Sequence, residues 1–154
     1  LTEHGIGSYE ELVERCDAVS AASIRTRERL RDTEQRITDL ALLGKKIDTY
    51  RKLKPVYDRY KASKDKEKFL RGFESEIILF EAAAREIKKA GLTKLPSSDK
   101  LKAELDGLSA CKTYLKAELH KIKEEEKRYD NLRQNVDVLL EQTKEIQINS
   151  YEIE

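Results

Sequence analysis

The sequence predicts an all-α fold: three long helices with coiled-coil character, arranged as an elongated antiparallel helical bundle. Three observations carry this. Core-type positions recur at alternating spacings of four and three from Leu12 to Ile47, and again from Leu101 to Leu140. No stretch alternates with the period of two that a half-buried strand needs. Charged residues make up 40% of the chain and hydrophobic ones 38%, a lean balance that suits long helices better than a thick core.

The opening residues 1–7, with two glycines and no periodicity, are expected to be a linker. Ser8 then heads a capping box: its hydroxyl can accept from the amide of Glu11, whose carboxylate reaches back. The first helix is expected over about 9–53, on a seam of Leu12, Cys16, Val19, Ser23, Thr26, Leu30, Thr33, Ile37, Leu40, Gly44 and Ile47. Ser23, Thr26 and Thr33 weaken its middle. Gly44 permits a bend or a close helix approach, yet its place in the pattern argues that the helix passes through.

A proline disfavours helical angles in the residue before it, and it suits the first turn of a new helix. Pro55, with Ser63 as a second possible start, predicts a kink or tight turn somewhere between Leu53 and Asp65, and the sequence leaves its place open: the second helix starts at 55 or 65 and ends near 90. Its face is Phe69, Phe73, Ile77, Phe80, Ala84 and Ile87. Lys88 and Lys89 suit the negative end of a helix dipole, Gly91 can take the left-handed stop position, and Leu92 would then fold back on Ile87. Ser97 or Ser98 caps a third helix over about 98–142, and residues 143–154, where the pattern is lost, are expected to form a frayed tail. The bundle as a whole spans 8–142.

Several function classes find no support. No apolar run approaches the roughly 18 residues that span a bilayer, so no membrane partner is expected. Two cysteines, Cys16 and Cys111, are too few for a disulfide framework or a zinc site, and a cytoplasmic location is the expectation. His4 and His120 lie far apart and lack a third ligand, so no metal or other cofactor is expected. Glu124, Glu125 and Glu126 fit a solvated helix face rather than a catalytic pair, and no glycine-rich phosphate loop follows a strand. The chain begins at Leu1 and contains no methionine, which predicts a piece of a longer protein, with room for a catalytic centre upstream. The piece itself is expected to be non-enzymatic, with no catalytic residue.

One stretch stands out by charge. From Lys45 to Arg71 eleven basic residues face four acidic ones, a balance of +7 in a chain whose total is +1. Its candidate nucleic-acid-binding residues are Lys45, Lys46, Arg51, Lys52, Lys54, Arg59, Lys61 and Lys64, interleaved with Tyr50, Tyr57 and Tyr60. On one reading these are a solvated helix face with half-buried tyrosines. On the other, the cations neutralise phosphates and a tyrosine stacks on an unpaired base, which favours single-stranded DNA.

SYEEL near the start, IDTYRKLKPVYDRYKASKDKEKFLRGFESEIILFEAAAREIK, GLTKLPSSDKLKAEL and NVDVLL together resemble the C-terminal helical region of relaxases, the mobilisation nucleases of plasmids and integrative conjugative elements in Gram-positive bacteria. The Tyr50–Lys61 core and the KLPS at Lys94–Ser97 carry most of the likeness, which covers most of residues 8–140. In such relaxases an N-terminal domain cuts the transfer origin through a tyrosine and a histidine-bound metal. No histidine cluster of that kind occurs in this chain. The resemblance therefore implies an accessory role in conjugative transfer of a mobile element, touching origin or single-stranded DNA or transfer-machinery proteins. The rival expectation is a structural coiled-coil scaffold or protein–protein adaptor. A homodimer is also expected, because a short second helix would leave Leu12, Val19 and Leu30 on one side, and Tyr129, Val136 and Leu140 on the other, as uncovered apolar stripes.

Overall fold

The computed structural model describes residues 7–153, and they form three helices: α1 (Tyr9–Ala62), α2 (Lys66–Lys89) and α3 (Ser98–Ile153), with no strand among them. The all-α helical bundle is as the sequence predicts. The linker expected over residues 1–7 lies outside the described residues except for Gly7. The chain divides into two compact units, Thr33–Cys111 and the pair Leu1–Asp32 with Lys112–Glu154.

In the Thr33–Cys111 unit all three helices contribute. Leu40 and Ile47 of α1, Ile87 of α2 and Leu101 of α3 form the buried centre, with Leu43, Tyr50, Leu92, Leu95, Leu105 and Leu108 packed around it. Arg36 pairs with Glu104 at 3.1 Å, but both side chains are largely exposed, so the pair adds little beside the apolar burial. The α2 stop forms as expected. Gly91 has φ +73, its N–H donates to the Lys88 carbonyl at 3.0 Å, and Leu92 packs on the cluster that holds Ile87. Ser97 caps α3 by accepting from the Lys100 amide at 3.1 Å.

Of the two starts expected for the second helix, 55 and 65, the structure takes the later one, and the turn falls inside the expected interval from Leu53 to Asp65. α1 runs through the proline to Ala62, and the chain turns only at residues 63–65, where Asp65 accepts from the Lys68 amide and starts α2. A proline inside a helix removes one hydrogen bond and crowds the preceding turn, a cost of roughly 3 kcal/mol. The compensation is visible on either side of it. The rings of Tyr50 and Tyr57 stack on Phe80 of α2, with centroids 4.7 and 4.3 Å away, so one buried ring clamps α1 across the proline. Packing has overridden the local preference. A separate kink lies inside α2, at Phe73 (φ −133, ψ 25), directly after Gly72. That bend stacks Phe69 on Phe73 at 4.8 Å, while Phe69 also meets Tyr60 of α1 at 6.1 Å in a tilted contact. On the α2 face Ala83 is fully buried and Ala84 only partly.

At Gly44 the helix continues, and a Cβ there would meet nothing within 4 Å, so no helix approaches closely at that point.

In the other unit α1 and α3 run antiparallel, since rising positions on one meet falling positions on the other. The Tyr9 hydroxyl donates to Asp137 at 2.8 Å, and Ser20 donates to Glu126 at 3.4 Å. Leu12 and Cys16 are buried against Tyr9, Tyr129, Leu132 and Val136. Of the stripes expected to lie open, Leu12 is 0% exposed and packs against Tyr129 and Val136, whereas Leu140 remains 48% exposed. The Ser8 cap forms at 3.1 Å, but the Glu11 carboxylate reaches the amide of Gly7 rather than that of Ser8. Residues 143–153, expected to be a frayed tail, continue α3. EQTKEIQIN holds no glycine or proline and is rich in residues of good helix propensity, so the helix persists with its side chains exposed.

Burial also sets the chemistry of the cysteines. The Cys16 thiol is pushed up by desolvation first, with Arg133 opposing and Asp130 and Asp17 assisting, and its sulfur lies 3.8 Å from the Tyr129 carbonyl. Cys111 is only partly buried. A thiolate is the reactive species, so iodoacetamide is expected to label Cys111 in the folded protein and Cys16 only after denaturant is added. Peptide mass spectrometry over a time course checks this; equal labelling rates in the native state contradict the packing of Leu12 and Cys16.

Candidate nucleic-acid interface

The basic stretch lies on the second half of α1, the turn at 63–65 and the start of α2, all within the Thr33–Cys111 unit. Every one of the eight basic candidates is exposed, and the three tyrosines are partly buried. The structure separates the cations into two groups. Four have partners: Arg51 donates to the Pro96 carbonyl, Lys54 pairs with Asp58 at 3.1 Å, Arg59 sits 5.7 Å above the Phe73 ring, and Lys61 sits 5.4 Å above the Tyr57 ring. The hydrogen bond that Lys54 donates to Asp58, and then the Asp58 charge, stabilise the ammonium and raise its pKa.

The other four, Lys45, Lys46, Lys52 and Lys64, form no ion pair or cation–π contact among the described residues. Lys45, Lys52 and Arg59 recur every seven residues, so they form an outward line on α1, about 10.5 Å apart and roughly opposite the Tyr50 and Tyr57 side. Asp48 is the carboxylate beside that line. A row of ammonium and guanidinium groups on one helix face can follow a phosphate track and release condensed counterions.

The tyrosines are placed differently from the cations. Tyr50 and Tyr57 commit a ring face to Phe80, which leaves them to packing. Tyr60 has only tilted neighbours, Tyr57 at 6.0 Å and Phe69 at 6.1 Å, and is the one ring of the three without a stacked partner among the described residues. Phe80, which organises all of this, carries no charge or polar group that marks it in the sequence as part of an interface.

Other chemistry finds no such grouping. Among the described residues no cluster of three or more His, Cys, Asp or Glu could hold a metal ion, and His4 lies outside them. A cleft of about 430 Å³ beside the α2–α3 connection has an apolar floor that includes Leu40, Leu92 and Leu95, with Lys94 and Lys100 among its lining residues. Ser97 and Glu104 also line it, Ser97 as the cap of α3 and Glu104 as the partner of Arg36. No described helix is long and apolar enough to cross a membrane.

Comparison with family models, curated proteins and solved structures finds no match to this chain.

Proposed function

We propose that this chain is a non-catalytic accessory helical region of a relaxase, acting in plasmid mobilisation and touching DNA through the basic half of α1. The observation that carries the reading is the concentration of charge: a balance of +7 over Lys45–Arg71, within which Lys45, Lys46, Lys52 and Lys64 have no carboxylate partner among the described residues. A solvated helix face of ordinary type pairs much of its charge at positions three or four apart, as Lys54 does with Asp58. The likeness of the Tyr50–Lys61 core to relaxase C-terminal regions supports the choice of DNA as the partner. Tyr60 supplies the ring for an unstacked base, and single-stranded DNA is therefore the preferred form.

Two assays test this together. Fluorescence anisotropy with a labelled single strand should give binding that weakens about 50-fold between about 50 and about 200 mM salt, as expected for roughly four neutralised phosphates. The same protein, incubated with supercoiled origin plasmid and Mg²⁺ or Mn²⁺, should leave it supercoiled. Absence of binding to every single strand and duplex tried at low salt overturns the DNA reading and favours the scaffold or adaptor. Relaxation that a single Tyr→Phe substitution abolishes overturns the non-catalytic one.

A further inference from the structure

We propose that the last turns of α3, from Leu139 to Ser150, bind the same segment of a second copy of this chain. The seam that packs α3 on α1 has a definite phase. Tyr129, Leu132 and Val136 face Leu12, Cys16 and Tyr9, and the same alternation of three and four continues through Leu139, Thr143, Ile146 and Ser150. The first turn of α1 lies at Asp137, where the Tyr9 hydroxyl donates. Beyond that point none of the described residues covers the seam: Leu139 is 60% exposed and Ile146 69%.

The charge pattern indicates what covers it. Residues 138–153 contain four charged side chains, Glu141, Lys144, Glu145 and Glu152. At 100° per residue all four fall on the side of the helix away from the Leu139–Ile146 line. The positions flanking the line are Leu140, Gln142, Gln147 and Asn149. In a chain that is 40% charged, this is an unusually wide uncharged face. It offers phosphates no cation, and it has no flanking charges with which to select an oppositely charged helix. Carboxamides both donate and accept, so Gln142, Gln147 and Asn149 can pair with their own copies. An uncharged apolar line flanked by amides is complementary to itself, as a two-fold interface requires. The seam is short and carries Thr143 and Ser150 on one of its two rows, so the association is weak and concentration-dependent.

Sedimentation equilibrium of the whole 154-residue chain tests this. The apparent mass should rise from 17.9 kDa toward twice that value as concentration increases. The double substitution Leu139→Lys, Ile146→Lys should raise the dissociation constant at least tenfold while leaving the far-UV circular dichroism unchanged, since neither side chain is in the core. If that variant loses helix, the milder Leu139→Gln, Ile146→Gln pair replaces it. A parent protein that stays at 17.9 kDa throughout overturns the proposal, as does an association that the substitutions leave intact.

Discussion

Phe80→Ala is expected to cost about 3–5 kcal/mol, the usual range for deleting a buried aromatic ring, and to lower the melting temperature by roughly 10 °C. Phe80 is 5% exposed and stacks against both Tyr50 and Tyr57. Two consequences should follow from its loss. The cavity and lost contact area weaken the α1–α2 packing directly. The proline turn of α1, deprived of its clamp, should then open locally, so amide exchange should accelerate over 51–62 more than over 36–47, where Leu40 and Ile47 still hold the helix. Thermal melts with exchange mass spectrometry check both. A melting temperature within a degree of the parent contradicts the clamp.

The same ring shows why the joint was hard to read from sequence. The heptad seams predict α1 and α3 well, because a spacing of four and three is enforced by helix geometry wherever a face is buried. Leu12, Leu40, Ile47, Leu101 and Leu115 are buried where the pattern puts them. The caps at Ser8 and Ser97 and the glycine stop at Gly91 were equally legible, since each depends on a few adjacent residues. Local preference allows a boundary at Pro55 as readily as one at Ser63–Asp65. What keeps α1 continuous is a contact between residues thirty positions and a turn apart, and no local pattern records it. After Leu140 the spacing on the seam through Arg133 and Val136 ends, which predicts a tail. Its helix instead shifts the exposed line by one position, to Leu139 and Ile146.

The candidate site was legible as charge and illegible as geometry. All eight cations are exposed, as a contact surface needs. Which of them are engaged within the molecule depends on Asp58, Phe73, Pro96 and the Tyr57 ring, and those pairings need the fold.

That division makes the central claim testable by comparing two variants of the same charge change. One replaces the partner-free Lys45, Lys46, Lys52 and Lys64 with glutamine; the other replaces Arg51, Lys54, Arg59 and Lys61. Each neutralised phosphate on a single strand contributes about 0.7 to the slope of log affinity against log salt. If the partner-free lysines make the phosphate contacts, the first variant should lose close to 3 units of slope and bind at least tenfold more weakly at low salt, with its melting temperature unchanged. The second variant should lose less slope and should melt lower, because Arg51, Arg59 and Lys61 also hold α1 to its neighbours or its own rings. Single-stranded DNA titrations of the parent and both variants at several salt concentrations are the decisive measurement. The slope should fall mainly with Lys45, Lys46, Lys52 and Lys64; a variant lacking those four that keeps the parent's affinity and slope overturns their role as the phosphate contacts.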